Sequence, residues 1–367
     1  MRLLILGGTE FVGRAVAEAA LARDWEVTVF HRGHHEAPAG VRVLRGDRTA
    51  PDGLAALTGA DLTDSARTGA DLTGTARTGA DLTDSARTAR TGASGDAGPE
   101  WDVVLDTWSG APSAVLDTAR LLADRAGHYA YVSSRSVYAY PTPAGLPEDG
   151  PLVEGAAADA GQRDYARDKR GGELAAEAAF GDRALLVRPG LILGPWENVG
   201  RLPWWLGRIA RGGPVLAPGP RDNPLQYIDV RDLAEWTLDA AARGLAGAYN
   251  AVSPPGHTTM GKLLAACVKA TGSDAELRWT DPETILAAGV EPWTGLPIWL
   301  PRGESHDMMH GGDVSKALAA GLRCRPAEET VDDTWAWLRS VGGEAPQRPD
   351  RPRVGLAPEV EAAVLGR

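Results

Sequence analysis

The stretch RLLILGGTEFVG, residues 2–13, compresses a strand, a glycine turn and the start of a helix into a single run. Leu3, Leu4, Ile5 and Leu6 form an unbroken apolar segment, the pattern of a parallel strand buried on both faces. Gly7 and Gly8 permit a sharp turn. Phe11 and Val12 then open an amphipathic helix that continues through RAVAEAALARD (14–24). Such a helix points its unpaired N–H groups at one spot, where a pyrophosphate would sit. The glycine spacing (Gly7, Gly8, Gly13) departs from G-x-G-x-x-G, and Glu10 puts a carboxylate inside the loop.

Outward from this unit the chain alternates. EVTVFHRG (26–33), VRVLRGD (41–47), WDVVLDTW (101–108), HYAYVSSRSVYAY (128–140) and ALLVRPGLILGP (184–195) read as strands, with a helix in PSAVLDTARLLADRAG (112–127). Strands separated by helices predict an α/β fold, a doubly wound parallel sheet whose ligand crevice lies beyond the C-terminal strand ends. Residues 1–192 are expected to form this dinucleotide-binding domain, with 224–252 returning to it. Residues 193–343 would build a smaller C-terminal substrate-binding lobe, and 344–367 a Pro/Arg-rich linker with a short docking helix in APEVEAAVLGR. TGADLTDSAR (58–67) recurs as TGADLTGTAR (68–77) and TGADLTDSAR (78–87), within a low-complexity stretch at 58–98. Three such units are too few for a stable solenoid, so a surface insertion dispensable for chemistry is predicted.

Composition narrows the class. A net charge of −11 opposes nucleic acid and anionic membranes, which call for a basic field. Two cysteines, Cys267 and Cys324, predict a reduced, cytoplasmic setting without a disulfide framework. The apolar run at 3–6 is too short for a signal peptide, and no stretch approaches a membrane span.

The candidate chemistry lies at strand ends. Arg32, just past the second strand, stands where the adenosine ribose of a dinucleotide would lie and suits a 2′-phosphate, which favours NADP over NAD. Asp47, ending the third strand, is placed to accept a hydrogen bond from the adenine amino group. Tyr165 and Lys169 form Y-x-x-x-K in a helix-prone segment, which puts both on one helical face. A tyrosine is a poor acid–base at neutral pH unless a nearby ammonium stabilises its phenolate. Ser134, in YVSSRSVY, would hydrogen-bond a substrate oxygen beside Tyr165.

Together GGTEFVG (7–13), GDR (46–48), SSRSVY (133–138), YARDK (165–169), RPGLILGP (188–195) and LQYIDVRDLAE (225–235) resemble the short-chain dehydrogenases/reductases, in particular the extended, NAD-dependent epimerase/dehydratase-like type. YNAVSPPGHTTMGKLLAAC (249–267) continues the likeness. The resemblance implies a Rossmann-type fold and a Ser134–Tyr165–Lys169 triad in which Tyr165 relays the proton and Lys169 also holds the nicotinamide ribose. It implies cofactor contacts from Gly7, Thr9, Glu10, Phe11, Val12, Thr107, Trp108, Ser109, Ser133, Pro189, Gly190 and Ile192, and it makes a homodimer an expectation. Two departures stand out. Glu10 replaces the usual glycine and resembles an atypical branch, some of whose members are non-catalytic. Arg135 and Ser136 occupy the positions where sugar 4,6-dehydratases carry Asp-Glu, which argues against dehydration.

Trp196, Trp204, Trp205, Trp236, Trp279, Trp293, Trp299, Trp335 and Trp337 crowd the second half and suggest an apolar or aromatic part of the pocket, beside their ordinary use in packing. EPWTGLPIWLP (291–301) reads as a Pro-braced loop or lid, and Arg208, Arg211 and Arg231 as the cations available to grip a diphosphate. His306 and His310 have the spacing of metal ligands but lack a third partner, so no metal is expected and the two read as surface or pocket-rim histidines. The reading that results is an NADP(H)-preferring oxidoreductase moving a hydride to or from a hydroxyl or carbonyl carbon of a small molecule. Its rivals are an NAD-retaining nucleotide-sugar epimerase and a non-catalytic dinucleotide-binding regulatory protein.

Overall fold

Alternate residues of the first strand serve the two faces of the sheet. In β1 (Arg2–Leu6), Leu3 and Ile5 join one buried cluster while Leu4 and Leu6 join another, so both faces of the sheet are covered. The computed structural model describes residues 1–58, 100–141, 143–158, 160, 163–348 and 351–366. Except for Thr58, the ten-residue repeats lie outside the described residues.

β1 is followed by β2 (Glu26–His31), β3 (Arg42–Arg45), β4 (Trp101–Asp106), β5 (Ala126–Val132) and β6 (Ala184–Pro189). With the strand Gly247–Ala251 they make a seven-stranded parallel sheet, ordered β3-β2-β1-β4-β5-β6 and then Gly247–Ala251. This is the Rossmann-type order, with its switch point between β1 and β4. Helices α1 (Phe11–Leu21), α2 (Pro112–Leu122) and α3 (Tyr165–Phe180) connect the strands. On one face α1 packs with α5 (Val230–Ala242), and on the other α2 packs with α3.

The stretch read as one strand over 184–195 is divided. Pro189 ends β6, and Leu191–Leu193 pairs instead with Tyr227–Asp229. Proline has no N–H for a ladder, and Gly190 follows at once. β5 also starts at Ala126, two residues earlier than the apolar pattern indicated.

A second core gathers α4 (Arg201–Ala210), α6 (Met260–Thr271) and the helix Ala327–Ser340. Here the expected lid is corrected. Leu296, Ile298 and Trp299 are fully buried, and Trp205 Nε1 donates to the Pro297 carbonyl at 2.7 Å. Trp299 Nε1 donates to the Gly219 carbonyl at 3.0 Å, so residues 296–299 of the Pro-braced segment are core while 291–295 stay at least partly exposed. The helix Pro358–Leu365 docks through Glu361, which pairs with Arg208 at 2.6 Å and accepts the Leu216 N–H at 3.0 Å. Among the described residues no helix is long and apolar enough to cross a membrane.

Candidate functional site

The loop after β1 requires its glycines. Gly7 and Gly8 have φ of 123° and 91°, and a Cβ on Gly8 would lie 2.6 Å from Val29 Cγ1. A Cβ on Gly13 would lie 2.6 Å from the Gly8 nitrogen, so α1 sits directly against the loop. Phe11 opens the helix at φ 29°, with Val12 behind it. No side chain caps this N-terminus and its first turn carries no acid, so the N–H groups converge as a pyrophosphate cradle requires. Glu10 does not cap the helix. Its Oε1 accepts from Asn198 Nδ2 at 3.1 Å and lies 3.4 Å from His35 Nε2. The carboxylate is thus engaged across the groove.

At the far end of β2, Arg32 is exposed. The Asp47 carboxylate turns into its own loop, accepting from the Thr49 hydroxyl at 2.6 Å and the Thr49 N–H at 2.9 Å. These bonds, with Arg32 nearby, hold it below the usual aspartate range. Arg45 lies over Gly33, its Nη1 3.4 Å from where a Cβ would stand, and His31, His34 and His35 complete an open groove.

Beyond β4 and β5 the helix α3 brings in the remaining groups. Asp164 caps it, accepting the Arg167 N–H at 2.9 Å, and Tyr165 is its first residue, 39% exposed. One turn on, Lys169 is buried. Its Nζ donates to the carbonyls of Trp108 at 2.5 Å and Val132 at 2.6 Å and lies 4.9 Å from the Tyr131 ring centroid. Burial brings its ammonium down to about 7, although Asp106 and Glu173 pull the other way. Ser134 caps the short turn Arg135–Val137, which packs on α3, and its Oγ lies 3.1 Å from Ser136 Oγ. Ser133 faces inward and donates to Glu173 at 2.7 Å.

The groove between these ends is lined as follows. Thr107 donates to the Leu6 carbonyl at 3.0 Å and fills the space beside Gly7, while Thr9 stands in the loop itself. Ser109 offers its carbonyl to Arg163, and Pro189, Gly190 and Ile192 follow β6.

Several groups beneath the site were given no role in the reading of the sequence. Arg48 and Asp106 form a buried two-pronged pair at 2.7 and 2.8 Å, and Tyr129 donates to the same carboxylate at 2.6 Å. Burial alone would raise Asp106, but Arg48 keeps it below the ordinary range. Glu173 accepts from Ser133, Arg170 and both prongs of Arg188.

Arg135 donates to Gln226 at 2.9 Å and to the carbonyls of Met308 and Met309, anchoring the helix Glu304–His310. That corrects the rim reading of the histidines. His306 and His310 are buried, and burial beside His306 pushes His310 down to about 3. Among the described residues no group of three His, Cys, Asp or Glu is placed to hold a metal. Two of the expected diphosphate cations are committed elsewhere, Arg208 to Glu361 and Arg231 to Asp229 and Asp333.

The last part of the chain returns to this site. The Arg348 N–H donates to the Asn198 carbonyl at 3.1 Å, and the Arg351 guanidinium lies 4.9 Å from the Tyr165 ring centroid.

A model of the NAD dependent epimerase/dehydratase family matches residues 3–251. No curated protein matches the sequence. Among solved structures, the Bordetella bronchiseptica enzyme WbmG in complex with NAD and UDP aligns at a TM-score of 0.60 and 16% identity, covering 96% of this chain and 99% of that one. UDP-glucuronic acid 4-epimerase from Bacillus cereus in complex with NAD aligns at 0.58 and 13% identity, covering 93% and 99%. At these identities the structural likeness speaks for the fold, and the sequence match speaks for descent: the chain belongs to the NAD-dependent epimerase/dehydratase family and is an NAD(P)-dependent enzyme of the short-chain dehydrogenase/reductase type.

Proposed function

We propose that this protein is an NADP(H)-preferring oxidoreductase acting on a hydroxyl or carbonyl carbon of a small molecule, with Tyr165 passing the proton. The observation that carries the reading is the face of α3, where Tyr165 is part exposed at the head of the helix and Lys169 is fixed by two main-chain carbonyls one turn behind it. The residues present fit a dinucleotide, since the glycine loop leaves no room for a Cβ and α1 offers uncapped N–H groups. When bound, the nicotinamide supplies the hydride donor or acceptor.

Ser134 orients the substrate oxygen at the mouth of the turn it caps. Tyr165 donates or takes the proton at that oxygen, and the Lys169 charge favours the anionic phenol oxygen when the proton has left. The third N–H of Lys169 remains for a ribose hydroxyl. Arg32 and Arg45, on either side of Gly33, make the adenosine end basic, and a 2′-phosphate is the group that suits it. Arg135 and Ser136 in place of an acidic pair support redox chemistry over elimination of water, because Arg135 is spent on anchoring a helix.

The test is a calorimetric titration with NADPH and NADH of protein first assayed for co-purified nucleotide. Binding at least tenfold tighter for NADPH, lost in Arg32→Ser, is the expected result. A protein that emerges with NAD already bound supports instead a nucleotide-sugar epimerase, the reading favoured by its likeness to solved epimerases in complex with NAD.

A further inference from the structure

We propose that Arg351, with Arg201, forms an oxyanion-binding wall beside Tyr165, so that the substrate carries a carboxylate or phosphate close to its reacting carbon. The inference rests on Tyr165 being the residue at that carbon, and it turns on Arg351, which lies beyond the matched family segment ending at residue 251.

Both guanidinium groups sit over aromatic rings. The Arg351 Cζ lies 4.9 Å from the Tyr165 ring centroid, and the Arg201 Cζ lies 5.2 Å from that of Trp293. A guanidinium stacked on a ring keeps its in-plane N–H groups for another partner, and that planar fork matches a carboxylate or phosphate. Among the described residues the Arg351 side chain has no hydrogen bond or ion pair, and the Arg201 Nε is buried without an acceptor.

The acids in the neighbourhood are already occupied. Glu197, 4.0 Å from Arg201, accepts the N–H groups of Arg201 and Leu202, while Asp106 is held by Arg48 and Glu173 by Arg188. Arg351 lies close enough for its charge to bear on both Lys169 and Arg201. A protein of net charge −11 thus gathers cations where the substrate reacts, which draws in an anion and orients it. The main chain holds the wall in position through the Arg348 N–H on Asn198, whose side chain in turn reaches Glu10 at the glycine loop.

The experiment titrates cofactor-free and NADPH-loaded protein with sodium pyrophosphate and with free glucuronate at constant ionic strength. Tryptophan fluorescence follows binding, since Trp293 lies under Arg201. Wild type is expected to bind at least one probe saturably, and which one identifies phosphate or carboxylate as the source. Arg351→Gln should weaken that binding at least tenfold and Arg351→Lys by less, with the NADPH Kd unchanged within twofold. No saturable binding by wild type, or equal binding by Arg351→Gln, overturns the proposal while leaving a protein that binds NADPH consistent with the function above. Parallel loss of NADPH affinity would make Arg351 a cofactor contact and also overturn it.

Discussion

Lys169 is asked to carry a charge in a place that opposes charge. Its ammonium is buried, satisfied by two carbonyls and held at about 7 against an ordinary 10.5. Between pH 7 and 10.5 the unfolded chain keeps a proton that the folded chain has shed, so stability rises with pH across that window. Below pH 7 the folded state bears the whole penalty. Lys169→Met carries none, so its stability relative to wild type should be most favourable at pH 6.5. That advantage should fall by about 2–4 kcal/mol toward pH 10, at roughly 1.4 kcal/mol per unit. Urea denaturation at pH 6.5, 8 and 9.5 checks this, and a pH-independent difference would refute it. Turnover should fall about 10²-fold or more, because Tyr165, the acid–base group, loses the charge that favours its phenolate. The placement of Lys169 one turn behind Tyr165 was legible in the sequence because Y-x-x-x-K is a local pattern, four positions apart on one helix. Arg48 and Asp106 were not, because their pairing spans 58 positions and two strands, β1 and β2, stand between β4 and β3 in the sheet.

At the scale of elements, the glycine loop and α1 act as one part. A methyl group on Gly13 would meet the Gly8 backbone nitrogen at 2.6 Å, and backbone cannot swing aside as a flexible side chain can. Alanine is intrinsically the better helix former by about 1 kcal/mol, but overpacking of this kind costs about 1–3 kcal/mol and displaces the helix start. Gly13→Ala should therefore destabilise the protein and weaken NADPH binding more than tenfold, read by calorimetry beside a denaturant melt. Undiminished affinity would mean that α1 is not the phosphate cradle. The alternating strands and helices of the first half were readable because each strand is an unbroken apolar run flanked by turn residues. The misreadings occurred where burial was not written as a period. EPWTGLPIWLP has the prolines of a loop and the apolar content of a core, and only its tertiary neighbours, Trp205 and Gly219, decide for core. Likewise the spacing of His306 and His310 marks a shared helical face without saying that Arg135 and Gln226 bury it.

On the scale of the molecule, the two cores meet in one pair of short strands. Leu191, Leu193 and Tyr227 face the second core, while Ile192 and Ile228, from the same strands, face the sheet. The C-terminal helix bears on the second core through Glu361, whose carboxylate serves both Arg208 and the Leu216 N–H. Glu361→Ala would leave a buried guanidinium short of its counter-charge and a buried N–H short of an acceptor, a loss on the order of 3 kcal/mol. In a chain of this size, melting as one unit, that lowers Tm by roughly 4 °C. Because the shared strand pair couples the cores, the loss should not stay in the second lobe. Tryptophan fluorescence, to which the second core contributes eight of the twelve tryptophans, and release of NADPH, which reports the sheet, should shift together in one transition. Glu361→Gln, which keeps an acceptor for Leu216, should recover part of the shift in both signals. Two separated transitions, with NADPH released at the wild-type temperature, would show instead that the lobes fold independently and that the strand pair is only a connection between them.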